Sequence, residues 1–564
     1  MFIDNQESLQ NDPFQTTNIN NPSKNKIRKR FFATKNWYKL AITLILWAVL
    51  QEIVSASTDI IDNIFVNFLK ERQIDGLKDL NQQIEDSGWN NLSKDVLNGL
   101  QLFKYHAGQI AVNGVVASNQ IFLIMFCTIT GFCYGAGVYS AQYFGAEENA
   151  KLRNIVCLKL YVTVSIGVLV GMFRFIPGLP EALMKLTIDS HGNGAGHYIE
   201  KITNREQAQE FYWYIQNQVD QMSIKEGAMY FKSISWSYPI LAINLTFISV
   251  LRETGRPKAS FIMAVIALVS NFTGNAIFTL PNSILSGIIG IGYGVQGSGI
   301  GTGISRVFQL VFILLLLNFK KYEFIPRWAS FKIPLGVWTK AMKKALPLVA
   351  SEIMFSLGVV LQVKLKAKYS ADSLTANAIF ETVLTILFSP IYHGFSAGIS
   401  VLVGNTLGKK KFEEANYNAE HLIKLSVMIS VILMMMGFLM AYLVPNHLYT
   451  NASHEAKNIA FWTIAIYSFF YPIVIVDNSC YSIIRTGGKT LQAFLLDSIV
   501  TWCITLPVLS VLILYNTRVT NINSKFTISI SIIWIQFIVF ALESTKFFFA
   551  IYFYKRKKWL QSIV

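Results

Sequence analysis

Apolar residues along this chain come in long blocks instead of the one-sided stripes of soluble helices. The blocks run near 38–68, 109–141, 154–176, 226–250, 259–281, 296–319, 341–366, 376–405, 419–445, 457–484, 490–515 and 527–554. A bilayer core takes about 20 apolar residues per crossing helix, so each block can span it. The longer ones leave room for tilt or a turn of helix outside the lipid. The pattern predicts an all-α integral membrane protein with twelve transmembrane helices. Two linkers are long and polar, near 69–108 and 178–225, and the second holds His191-Gly192-Asn193-Gly194-Ala195-Gly196-His197. Two histidines around small residues read as a Gly-rich loop before they read as a metal site, and no metal is expected.

Composition agrees with the pattern. Of 564 residues, 52% are hydrophobic and 15% charged, against about 25% charged in soluble domains. A formal charge of +16 could suggest nucleic acid. The basic residues, however, lie in loops between apolar blocks and form no stripe on a soluble surface, so no nucleic-acid partner is expected. They set orientation instead, because short cytoplasmic loops collect Lys and Arg. Residues 1–36 are polar, end in a basic run from Lys24 to Arg30, and read as a disordered cytoplasmic tail without a cleavable signal. Counting from there, Lys151 and Arg153, Arg252 and Arg256, Lys320 and Arg327, Lys409 to Lys411, Arg485 and Lys489, and the basic end 555–564 all fall inside. Lys364, Lys366 and Lys368 dissent at the outer end of the seventh block, and snorkelling accounts for them. Cys127, Cys133, Cys157, Cys480 and Cys503 lie in or beside apolar blocks with neither metal nor disulfide spacing, and read as small core residues.

The two halves repeat. Gly131–Gly145 (G-F-C-Y-G-A-G-V-Y-S-A-Q-Y-F-G) aligns without gaps on Gly394–Gly408 (G-F-S-A-G-I-S-V-L-V-G-N-T-L-G), and L-R-E-T-G-R (Leu251–Arg256) matches I-R-T-G-G-K (Ile484–Lys489). The offset is 263 residues at the first pair and 233 at the second. About 30 extra residues therefore lie in the first half, where the second long outer linker falls, and loops tolerate such insertions. Two six-span lobes around a central cavity make a transporter the natural reading. The expected divisions are 37–325 and 326–554, and small residues at these repeats let helices approach closely.

These segments resemble the multidrug and toxic compound extrusion family over nearly all of the hydrophobic chain. The pieces that carry the likeness are Val138–Glu148, Ile399–Gly408, Leu251–Lys258, G-V-Q-G-S-G-I-G-T-G-I-S-R (Gly294–Arg306) and the run from Ile484 to Asp497. The chain departs from the family at Arg256 and Lys489, where an Asp usually stands, and in its long outer linkers.

An ionisable residue within a span is costly and usually faces a cavity or pairs. Asp62, in T-D-I-I-D-N-I-F-V (Thr58–Val66), resembles the first-span Asp that serves the family as its N-lobe cation or proton site. Asp59 lies three residues away on nearly the same helical face. Ionising both in a low-dielectric cavity would be costly, which suits a proton carrier. Asn271 and Asn275 share a face of span five, and Thr302 lies in the sixth-span motif; the resemblance implies that these join Asp62. Their oxygens could coordinate a sodium ion or hold a protonated carboxyl group. In the second half Glu352 is the first coupling candidate, with Asp477 and Asp497 secondary. Glu543 and Lys546 are expected to neutralise each other. Tyr392, Trp236 and Phe380 could offer ring faces to flat cations.

The resemblance thus implies a secondary active multidrug exporter in the plasma membrane, both termini cytoplasmic, working as a monomer by alternating access. Inward H+ or Na+ flow would drive efflux of amphiphilic organic cations. No cofactor is expected and no enzyme activity, and no phosphate loop is present for ATP. The alternative is a flippase for lipid-linked precursors, which would need basic residues in the cavity; Lys159, Arg174, Lys232 and Lys364 are its candidates.

Overall fold

The computed structural model describes residues 32–69, 74–86, 107–188, 205–280, 291–369, 371–449, 453–521 and 530–564. They are helical, with twelve helices long and apolar enough to cross a membrane: Lys35–Asn67, Ala107–Gly145, Asn149–Phe175, Tyr214–Glu253, Pro257–Phe278, Gly294–Lys320, Leu335–Lys366, Thr375–Gly408, Phe412–Leu448, His454–Thr486, Thr490–Tyr515 and Ile532–Lys555. Each overlaps one apolar block of the sequence. They are numbered here as spans one to twelve. Helix starts carry ordinary caps: Thr34 accepts from the Trp37 amide at 3.3 Å, and Ser453 from that of Ala456 at 3.0 Å.

The halves meet where span two packs on span seven and span one on span eight. The repeated glycines explain how. A Cβ on Gly145 would meet the backbone of Asn405, and one on Gly408 the backbone of Gln142. The two repeat ends thus cross each other at backbone distance, which only small residues permit. Residues 559–564, expected as part of a basic cytoplasmic end, lie on this crossing. Trp559 is buried, Gln561 Nε2 donates to the Gly487 carbonyl (3.1 Å), and the Ile563 amide donates to Gln142 Oε1 (2.9 Å).

The structure corrects three expectations. The two long linkers are not wholly loop: Leu77–Asp86 and Leu179–Thr187 are helices, and the fourth-span helix begins at Arg205. Leu77, Leu80, Met184, Ile215 and Val219 bury against one another, an amphipathic pattern too short to stand out in polar sequence. Lys225–Asp75 and Lys232–Glu181 pair beside them at 2.8 and 2.7 Å; Lys232 holds the Glu181 carboxyl below its ordinary range. The His191–His197 run lies outside the described residues. Lys364 and Lys366 have protein partners and do not simply snorkel. Lys364 Nζ donates to the Leu186 carbonyl at 3.2 Å, and buried Lys366 to Asn377 Oδ1 at 2.7 Å. The side chain of Lys368 lies outside the described residues. Finally, four cysteines are buried but Cys503 is exposed, on the outer face of a π-helical turn, Thr501–Thr505.

Candidate functional site

Spans one, four, five and six enclose Asp62, which is 2% exposed. Its Oδ1 accepts from Asn271 Nδ2 (2.9 Å) and Asn275 Nδ2 (2.7 Å). Its Oδ2 accepts from the Tyr230 hydroxyl (3.0 Å) and Thr302 Oγ1 (2.8 Å). Asn271 and Asn275 reach the same carboxylate because residues four apart share a helical face. Span six comes close enough because Gly274 and Gly301 touch through their backbones: a Cβ on Gly274 would lie 2.9 Å from Gly301 Cα. Thr279 Oγ1 holds Asn275 Oδ1 at 3.1 Å, which turns the Asn275 amide donors toward Asp62.

A carboxylate offers about four lone-pair positions, and four donors fill them. No cation among the described residues forms an ion pair with Asp62. The charge is stabilised by hydrogen bonds alone. Adding a proton converts an acceptor into a donor, so at least one of the four bonds must break or, at the Thr302 or Tyr230 hydroxyl, reverse. Buried Asn271 Oδ1 has no partner, which leaves one oxygen beside Asp62 for a proton or a small oxygen-seeking cation.

Of the sequence candidates, Asp62, Asn271, Asn275 and Thr302 come together. Asp59 is on the same helix, and its side chain lies outside the described residues. Tyr230 escaped the sequence reading because a tyrosine in an apolar span carries no pattern of its own. The second-half acids form a separate group. Asp497 accepts from Ser351 Oγ (2.9 Å) and lies 3.6 Å from Lys546 Nζ. Lys546 pairs with Glu543 at 2.7 Å, as expected, and also donates to Thr501 Oγ1 at 2.8 Å. Buried Asp477 Oδ1 has no partner. Glu352, one residue from Ser351, packs against Gly131 of span two. Phe380 and Tyr392 are tied into the second-lobe core by Tyr467: the Phe380 and Tyr467 rings lie 5.2 Å apart, and the Tyr392 and Tyr467 hydroxyls 2.6 Å.

A small cavity lies on the seam between the halves, lined by Tyr134, Arg252 and Glu253 from one side and His393, Ser396 and Arg485 from the other. Arg252 Nη1 lies 2.6 Å from Glu52 Oε1, and Lys159, wholly buried, lies 2.7 Å from Glu253 Oε2. None of these pairs is legible in sequence, since 94 residues or more separate the partners.

The profile of the MatE family matches residues 100–190 and 347–511. The probable multidrug resistance protein NorM of Thermotoga maritima is 23% identical over 426 residues, 73% of this chain and 80% of that protein. Among solved structures, a MOP superfamily transporter from Pyrococcus furiosus superposes with a TM-score of 0.66 at 14% identity, covering 93% of this chain and 98% of its own. It is described as having a binding pocket of reverse polarity that suggests a different function. A MATE crystal structure in the straight conformation gives the same TM-score at 12% identity, with 93% and 98% covered. At such identities the structures speak for the fold.

Proposed function

We propose, from the premise that this chain belongs to the MatE family of membrane transporters, that it is a secondary active multidrug exporter coupled to H+ or Na+ through Asp62. The observation that carries the coupling is the four-donor cage: one carboxylate tied at once to spans four, five and six. An ion that competes for Asp62 displaces or reverses bonds that tie these spans together, and a site coupled in that way can bias two openings of the lobes. Export by alternating access in the plasma membrane, with both termini cytoplasmic, follows from this reading. Amphiphilic organic cations are its expected substrates, because unpaired acids in apolar surroundings attract them.

A flippase reading draws on a different observation. Lys159 and Lys232 are spent in ion pairs, Lys364 is held by Leu186, and Arg174 lies over the Phe175 ring. Arg252 and Arg485, on the seam, are the basic groups that an anionic headgroup would meet.

The test is efflux of a fluorescent organic cation from vesicles under an imposed proton or sodium gradient, with wild type beside Asp62→Asn. Gradient-driven efflux that disappears in a normally expressed Asp62→Asn supports the proposal and names the ion. Wild type that moves no cation under either gradient refutes drug export, and lipid flipping is then measured. Normal transport by Asp62→Asn refutes the coupling site alone.

A further inference from the structure

The seam holds a repeat that the glycine motifs do not reveal. Leu46–Ile53 (L-W-A-V-L-Q-E-I) aligns on Leu346–Ile353 (L-P-L-V-A-S-E-I) at an offset of 300 residues, which makes Glu52 and Glu352 equivalent. Arg252 and Arg485 are equivalent by the loop motif. In the first lobe the pair is closed, with Arg252 2.6 Å from Glu52. In the second it is open. Among the described residues no carboxylate lies within ion-pair distance of Arg485. Its partners are uncharged: Nη2 donates to Ser396 Oγ at 2.5 Å, and the guanidinium lies 4.4 Å from the Tyr134 ring centroid. Glu352 faces Gly131 instead.

Every other charged group on the cavity wall has a counter-ion, Arg252 in Glu52 and Glu253 in Lys159. Arg485 is 6% exposed and lines the cavity. A guanidinium presents five N–H donors in a fixed fork that matches a carboxylate. A buried guanidinium in the last turn of its span, with no carboxylate among the described residues within ion-pair distance, gains from an anion brought to it.

We propose that Arg485 is a specificity residue that takes the carboxylate of zwitterionic amphiphiles, so that the exporter prefers organic cations bearing an acid over those that do not. The inference rests on the transport reading for its biological sense, but binding alone decides it. The Tyr134 hydroxyl and His393 Nδ1, 3.3 Å apart, and the Ser396 hydroxyl surround the place with further polar groups. The first lobe, whose equivalent pair is closed, offers no such place.

The probes are rhodamine B, a zwitterion carrying a carboxylate, and its ethyl ester, a cation without one. Their affinities for the purified full-length protein in detergent are measured by fluorescence anisotropy. Wild type is expected to bind the acid more tightly than the ester by about tenfold to a hundredfold, the range of hydrogen bonds to charged groups. Arg485→Gln is expected to bring the acid down to the ester, and Arg485→Lys to keep much of the preference. Ester binding by Arg485→Gln shows that the variant is folded; should it bind neither dye, the Lys variant carries the comparison. A wild type that does not discriminate, or a Gln or Lys variant that breaks this pattern, overturns the proposal. If the binding preference holds while no gradient drives efflux of either dye, the export reading fails and this one stands.

Discussion

Lys159→Met is the sharpest test of how the seam is built. The ammonium is wholly buried and bonded to both oxygens of Glu253, at 2.8 and 2.7 Å, and to Ser249 Oγ at 3.2 Å. Met fills most of the volume but leaves the Glu253 carboxylate in place, 6% exposed. Removing one partner of a buried pair costs about 3–5 kcal/mol, because the survivor is an uncompensated charge. Here Ser249 Oγ still donates to Glu253 Oε1 at 2.6 Å, which places the expected loss at the lower end, about 3 kcal/mol. The double variant Lys159→Met/Glu253→Gln removes the orphaned charge and should recover most of that, to within about 1 kcal/mol of wild type. Denaturant unfolding in detergent, followed by tryptophan fluorescence, measures both. A single variant that loses less than about 1 kcal/mol, or a double variant as unstable as the single, refutes the pairing. It would also leave Lys159 an unpaired cation, as the flippase reading needs.

Two further outcomes follow from the geometry. Asn275→Leu deletes the shortest bond to Asp62, 2.7 Å, a donor that stabilises the bare carboxylate and competes with the incoming ion, and should tighten binding of the coupling ion by about tenfold, read as a fall in the ion concentration that half-saturates efflux; an unchanged midpoint would remove Asn275 from the site. Gly408→Val drives a side chain into the Gln142 backbone and should cost about 1–3 kcal/mol, whereas Gly336→Val, where no atom lies within 4 Å of the new Cβ, should not; equal unfolding midpoints for the two would refute the close crossing.

Most of the fold was legible because lipid simplifies the problem. A spanning segment must satisfy its backbone internally and cover itself with apolar side chains, so twelve apolar blocks became twelve helices. Asp62 was legible partly for a related reason, since a carboxylate in such a block is expensive; Asn271, Asn275 and Thr302 were legible through the family resemblance, as other spans carry buried polar residues too. The short helices of the two long linkers were not. Leu77 and Leu80 bury one turn apart within a polar segment, and only the partner helices show that this short stripe has a face to cover.

The seam charges were hidden by a different circumstance, and it bears on what they do. Glu52 and Arg252 sit in ordinary positions of their spans, and the repeat offsets, 300 for one residue and 233 for the other, do not announce that the pair recurs. Once the helices are placed, equivalence by descent and equivalence by contact come apart. The first-lobe pair closes on itself within span distance, while in the second Tyr134 lies against Arg485 and Gly131 against Glu352, both contributed by span two of the opposite lobe. Span two thus holds open the pair that the repeat would close. A symmetric cavity would present either two neutral pairs or two open ones. The asymmetry leaves Arg485 without an ion pair on the cavity wall, in the last turn of its helix, where the carbonyl dipoles hold a cation and the remaining donors of its fork can receive an anion.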